Sequence, residues 1–236
     1  MSSPVHKQHT NRLLAALPPD ERERLTSGAE LVRLASGKIL FRASEHVTDA
    51  YFPLSGMASL ISVTPEGRSV EVAVVGSEGM VGLPAVLGDG GSPYEAMAQL
   101  PSEAVRVRAR VLRAEFERGG RLRELLHGHA LTLLTQVSQS AACHRFHTLD
   151  QRLARWLLTT RDSADSDRFR LTQEFLSFML GVPRTSVTSL AAAMQREGLI
   201  SYSHGSITVL DPRRLEAASC ECYRVVARQI ERQLAA

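Results

Sequence analysis

Of the 236 residues only three are cysteine, one is tryptophan and 5% are aromatic. Lysine is rarer than expected: Lys7 and Lys38 are the only two, so arginine supplies 26 of the 28 basic side chains. Cys143, Cys220 and Cys222 are too few for a disulfide framework and make no Cys-x-x-Cys knuckle, which suits a reducing compartment. No apolar run approaches the roughly 18 residues of a membrane-spanning helix. Residues 1–6 lack the apolar core of a signal peptide, so a cytoplasmic location without a membrane partner is expected. An excess of one charge is missing too. With 28 basic and 25 acidic residues the net charge is +3, and neither half of the chain is polybasic. Any phosphate-binding surface must therefore come from local placement. No nucleophile beside a base, no phosphate loop and no carboxylate pair stands out, so no catalytic residue is assigned and the chain does not read as an enzyme.

What is present is an ordinary globular composition, 44% hydrophobic and 22% charged, in a length that suits two modest domains. Leu13, Leu14, Leu17, Leu25 and Leu31 recur at helical spacing around Pro18-Pro19, predicting short helices over residues 10–35. From residue 37 to 107 the texture changes to short β-rich runs at 38–41, 50–52, 57–63 and 69–75, separated by Gly or Pro, which reads as an all-β sandwich or barrel. Thr64-Pro-Glu-Gly-Arg68 is a hairpin turn between two such runs, and residues 84–94 form a Gly-rich loop.

Between Val107 and Pro183 there is no proline, and the pattern is helical. One helix over 110–118 stops at Gly119-Gly120. A second, over 121–146, is about 39 Å long at 1.5 Å per residue. Its stripe of Leu122, Leu126, Ala130, Leu133, Val137 and Ala141 is diluted by His129, Gln136, Ser140 and His144. Such a helix reads as the seam of a homodimer, with polar positions setting register. Thr148-Leu-Asp-Gln151 has the form of a capping box, which places a hinge at 146–148.

The segment from Leu171 to Met194 is the most informative. A helix over 172–180 is stopped by Gly181, and a second opens at Pro183, whose fixed φ suits a first turn. Leu176 and Leu180 can pack against Val187, Leu190 and Met194. Two short strands around His204-Gly205 make a β-hairpin, or wing. This is the helix-turn-helix layout, whose second helix enters the major groove of double-stranded DNA. Arg184, Thr185, Ser186, Thr188 and Ser189 stand at the start of that helix, with Thr172 and His204 as flanking candidates. Arg184 leads, because a guanidinium pairs bidentately with guanine O6 and N7.

These features resemble the Crp–Fnr family of bacterial transcription regulators over nearly the whole chain. The resemblance rests on the glycine-punctuated β-roll, the long helix, Asp150-Gln-Arg-Leu-Ala-Arg-Trp-Leu157 and Leu180-Gly-Val-Pro-Arg-Thr-Ser-Val187. It implies an α+β fold. An amino-terminal β-roll, a jelly-roll-like double-stranded β-helix, spans residues 1–118; a dimerisation helix and hinge span 119–147; a winged helix-turn-helix spans 148–236. It also implies a homodimer on a palindromic operator, with RNA polymerase as a candidate partner. Two departures stand out. Cyclic-AMP-binding members carry Gly-Glu-Leu and then Arg-Ser or Arg-Thr in the phosphate cassette, where this chain has Gly82-Leu83-Pro84 and Gly91-Ser92-Pro93-Tyr94. Without that arginine a buried phosphate lacks its counter-charge, so the expected signal is something other than ordinary cyclic AMP. The family's frequent Arg-Glu…Arg recognition triplet is reduced to Arg184, Thr185 and Ser189, so the operator should differ. An effector is expected between roll and long helix, near Met80, Gly82, Leu83, Ser92, Tyr94, Val137 and Ser138; no cofactor is assigned.

The remaining chemistry reads as structural. A cupin-type metal enzyme needs several histidines in the roll, and only His46 lies there. His127 and His129, two apart on a helix, point to different faces. Cys143 and His147 share a face, so a symmetric dimer would gather four ligands, yet a partly buried structural pair is the simpler reading, as it is for Cys220-Glu-Cys222. No metal site is assigned. Arg106, Arg108 and Arg110 at alternate positions read as a solvated strand face in preference to a phosphate site. The competing functional reading is a sensor whose helical module binds a protein partner instead of DNA.

Overall fold

The computed structural model describes residues 10–235, so residues 1–6, read above as no signal peptide, lie outside the described residues. Helix α1 (Arg12–Ala15) is capped by Asn11, whose Oδ1 accepts from Leu14 N at 3.0 Å while its Nδ2 donates to Pro53 O and Gly79 O. Helix α2 (Pro19–Thr26) opens on a proline, as a first turn tolerates. The helical reading fails beyond it. Gly28 turns with φ +76, and Leu31 lies exposed on strand β1 (Glu30–Leu34), where tertiary pairing overrides the helical spacing.

Strands β2 (Ile39–Phe41), β3 (Asp49–Pro53), β4 (Ala58–Val63), β5 (Ser69–Val75), β6 (Glu95–Ala98) and β7 (Ser102–Arg108) complete the roll. They form two antiparallel sheets, ordered β1-β7-β3 and β2-β6-β4-β5. The β4–β5 hairpin closes through Thr64 N donating to Arg68 O at 2.8 Å, with Gly67 at φ +78. Arg106 pairs with Glu30 at 2.6 Å and Arg108 with Asp49 at 3.0 Å across one face of β7, the central strand of its sheet; Arg110 is exposed in the following helix.

Helix α3 (Ala109–Arg118) and helix α4 (Arg121–Phe146) are separated by Gly119 and Gly120 at φ +87 and +82. The polar residues of α4 do not form a pairing seam. His129, Gln136 and Ser140 face the protein's own roll, because β5 is a sheet edge whose outward groups need partners, while His144 is exposed and its Nδ1 lies 2.7 Å from Ser140 O of the same helix. Gln136 Oε1 accepts from Val74 N and its Nε2 donates to Val74 O, both at 3.0 Å. Ser140 Oγ donates to Val72 O at 3.0 Å, and His129 Nε2 lies 2.8 Å from Met80 O. Burial pushes the His129 imidazole down to about 4, which keeps it neutral. With that face taken, Leu131 (54% exposed), Leu134 (62%) and Val137 (42%) form an apolar row turned outward.

Helix α5 (Leu149–Ala164) starts with Gln151 Oε1 accepting from Thr148 N at 3.1 Å, the reciprocal half of the expected capping box. Then follow β8 (Arg168–Arg170), α6 (Gln173–Leu180), α7 (Arg184–Arg196), β9 (Ile200–Ser203), β10 (Ser206–Val209), α8 (Pro212–Ala218) and α9 (Cys222–Ala235). The three short strands form one antiparallel sheet, β8-β10-β9. Helix α9 returns along α4; a Cβ at Gly128 would stand 3.3 Å from Gln233 Cγ, so the helices approach closely there.

The molecule has two main cores. Ala58 and Leu60 of β4 point into the roll, while Met57, Ile61 and Val74 join Trp156, Leu157, Leu176 and Met179 of the helical half. Both faces of β4 are therefore covered, and each large apolar side chain buried there contributes roughly 1.5–3 kcal/mol. Glu71 sits in this contact: Ser59 Oγ donates to its Oε2 at 2.6 Å and Trp156 Nε1 to its Oε1 at 2.9 Å. Burial outweighs both bonds and the nearby Arg155, and raises its carboxyl to about 7. A carboxyl ordinarily near 4.5 then holds its proton longer when packed, so its support is full below about pH 4.5 and is lost as the pH rises to about 7. His129, shifted the other way, contributes equally with or without Glu71. Glu71→Gln is thus expected to gain on wild type by up to about 3 kcal/mol between pH 5 and pH 8. Thermal or urea unfolding of both chains across that range checks this; a constant gap would show that Glu71 titrates normally.

Candidate nucleic-acid interface

The interface is built from α6, α7 and the β9–β10 hairpin. Thr172 precedes α6 and its Oγ1 accepts from Phe175 N at 3.1 Å, satisfying one amide that the helix leaves free. Gly181 then takes the left-handed conformation, φ +64, and Val182 N donates to Ser177 O at 3.0 Å, which reverses the chain. Pro183 leads into Arg184, the first residue of α7. Leu176, Met179 and Leu180 bury against Val187, Ala191 and Met194, and Leu190 is half-buried beside them. This packing settles which face of α7 remains free.

Arg184, Thr185, Thr188 and Ser189 are exposed on that face, and Ser186 is half-buried. No hydrogen bond or ion pair holds the Arg184 guanidinium among the described residues. Thr188 Oγ1 donates to Gln173 Oε1 at 2.7 Å, and Ser189 Oγ donates to Thr185 O at 3.1 Å. Their oxygens keep free lone pairs for an amino donor on a base edge. The tip of the wing turns through His204 and Gly205, φ +50 and +73, two consecutive left-handed residues as a tight hairpin requires. A groove of about 490 Å³ between α7 and the wing gathers Arg184, Thr188, Thr172 and His204, together with Gln173 and Gln195. Thr185 and Ser189 stand beside this groove on α7 and do not line it.

Sequence reasoning missed Arg168 and Arg170. They flank inward-facing Phe169 on β8 and border a second concavity, about 600 Å³, shared with Ser201, Ser203, Ser206 and His204. The signal was the alternation Arg-Phe-Arg just before α6, which puts two cations on one side of a strand.

The seven residues expected around an effector are divided. Met80, Gly82, Leu83 and Ser92 are buried in the roll; Gly82 has φ +113, and a Cβ on it would come within 3.1 Å of Ala50 Cα. Ser92 Oγ donates to Tyr94 O at 2.6 Å, and the Tyr94 ring lies 6.1 Å from that of Phe41, its phenol pushed up by burial. Val137 and Ser138 are exposed on α4, away from the face that holds β5. A cavity of about 210 Å³ lies elsewhere, between β5, α5 and α9, and is lined in part by Glu78, Gln136, Thr159, Asp162 and Tyr223.

Comparison with known proteins agrees with this geometry. Residues 31–118 match the cyclic nucleotide-binding domain, and residues 151–218 match the Crp-like helix-turn-helix domain. The chain is 23% identical over 216 residues to the nitrogen fixation regulation protein FixK of Bradyrhizobium diazoefficiens, covering 88% of this chain and 90% of that one. Its fold is similar to that of a putative Crp/Fnr-family regulator from Eubacterium rectale, with TM-score 0.68 and 20% identity over 87% of this chain and 96% of the other. It is similar too to the c-di-GMP-responsive global regulator CLP of Xanthomonas campestris, TM-score 0.67 and 15% identity, covering 82% and 100%. No helix among the described residues is long and apolar enough to cross a membrane. A cyclic nucleotide-binding-type roll, the long helix α4 and a winged Crp-like helix-turn-helix in one chain make this protein a member of the Crp/Fnr family of DNA-binding transcription regulators, which are not enzymes.

Proposed function

We propose that the chain acts as a homodimer that reads a two-fold symmetric operator through α7, and that its roll answers to a signal other than ordinary cyclic AMP. The observation that carries the reading is the unengaged Arg184 guanidinium at the exposed start of α7. A guanidinium so placed pairs bidentately with a guanine edge, while the wing, with His204, Arg168 and Arg170, meets the neighbouring backbone. A net charge of +3 per chain makes non-specific attraction modest, so recognition rests on these few groups. The outward row of Leu131, Leu134 and Val137 supports pairing through α4, which sets two copies of α7 about one helical turn apart on DNA.

Leu83 and Pro84 form a buried 3-10 turn, and Ser92 is satisfied inside its own loop, so neither a ribose-binding carboxylate nor a phosphate-binding arginine is supplied there. The hinge at 146–148 is the natural place for a change in the roll to reorient the helix-turn-helix.

Two measurements test this. After operator selection from random duplexes, Arg184→Ala is expected to cost about 1–3 kcal/mol at the selected site and to relax preference at one base pair. Equal wild-type and variant affinities for selected and random DNA across a salt series would contradict the assignment. Leu134→Arg, at an exposed position, should leave the chain folded but dissociate the dimer in sedimentation; an unchanged dimer would place the pairing face elsewhere.

A further inference from the structure

The fold brings together two residue pairs that the sequence keeps 73 or more positions apart. Cys143 and His147 are one turn apart at the end of α4, and Cys220 and Cys222 stand at the start of α9. The three sulfurs and a nitrogen of His147 all lie within 4.8 Å of one another. All four residues belong to one chain, so no second copy is needed. All four also fall outside the two segments matched by the family's domains. We propose that they form a tetrahedral Cys3His site for a single zinc-type divalent cation.

Three independent features support this. The first is spacing: with about 2.3 Å to sulfur and 2.0–2.1 Å to nitrogen, a tetrahedral zinc sets ligands about 3.8 Å apart for two sulfurs and about 3.6 Å apart for sulfur and nitrogen. Cys143 Sγ and Cys220 Sγ are 3.5 Å apart, and Cys222 Sγ and His147 Nδ1 are 3.6 Å apart. Small side-chain rotations close the wider edges. The second is the imidazole. His147 Nε2 lies 3.2 Å from Glu221 Oε1, so Nε2–H donates to the carboxylate and Nδ1 is left with its lone pair toward the sulfurs. A carboxylate behind a ligating histidine is the usual outer partner of such a site. The third is charge. Three thiolates and a dication leave one negative charge, and the positive charge of Arg155 on α5 acts on all three cysteines while that of Arg152 acts on Cys143 and Cys220.

Four protein ligands and three buried sulfurs leave no open position, which marks a structural and not a catalytic site. Metal binding releases the thiol protons to solvent and changes no oxidation state. Its mechanical effect is local. His147 is the residue between α4 and the α5 cap, so the ion ties the start of α9 to the hinge that carries the helix-turn-helix.

The test uses the full chain purified under reducing conditions, with elemental analysis for zinc and titration of the metal-free chain with Co(II). One zinc per chain and the intense visible absorption of tetrahedral thiolate-bound Co(II) are expected. Cys143→Ser and Cys222→Ser should abolish that spectrum. Exposed Glu221→Gln should weaken zinc binding roughly 10–100-fold with an unchanged fold in chelator, a readout that a merely structural surface carboxylate would not move. If wild type with three reduced thiols binds zinc and Co(II) no better than a chain with all three cysteines changed to serine, the site does not exist. A Cys143–Cys220 disulfide that persists under these reducing conditions would also overturn it.

Discussion

The free edge of β5 is the constraint on which the rest of the molecule depends. Strand β5 ends the four-stranded sheet, and an unpaired strand edge inside a protein must be given hydrogen-bond partners. Helix α4 supplies them with side chains. Gln136 offers an amide that answers both the N–H and the C=O of Val74, as a neighbouring strand would, and Ser140 takes the next outward carbonyl. These bonds are directional, so they fix the rotation of α4 about its own axis in a way that apolar packing alone does not. Everything that α4 presents then follows: Leu131, Leu134 and Val137 turn outward, and Cys143 and His147 turn toward α9.

The same sheet holds the helical half. The outer face of β4 and β5 is a packing surface for α5 and α6, with the Glu71–Trp156 bond buried in the contact. The roll therefore touches the helix-turn-helix half directly as well as through α4. A change in the roll has two routes to α7, through the hinge and through this face, and both bear on how far apart two recognition helices stand.

Much of this was legible in the sequence because local chemistry specified it. Gly119-Gly120, Gly181, Pro183, His204-Gly205 and the Thr148/Gln151 pair each sit where backbone geometry leaves few alternatives. The helix-turn-helix and wing were readable for that reason, as was the exposure of Arg184. What could not be read depended on partners far along the chain. Gln136 and Ser140 look like seam positions until β5 is seen to need them. Val137 belongs to the apolar stripe by spacing but faces outward, since the polar residues beside it take the inner face. Arg168 and Arg170 alternate with Phe169 in the sequence, but only the pairing of β8 with β10 sets them beside His204 of the wing. Cys143 and Cys220 are 77 residues apart, and nothing local says that α9 folds back along α4 to bring their sulfurs within 3.5 Å.

The central claim is that α4 is bonded to the edge of the roll and not merely packed on it. Hydrogen exchange at the Val74 amide in the native chain measures this most directly, since Gln136 Oε1 is its acceptor. Slow exchange in wild type is predicted, with selective acceleration at Val74 in Gln136→Leu while amides in the β4–β5 ladder keep their protection. Identical Val74 exchange in the two chains would contradict the account.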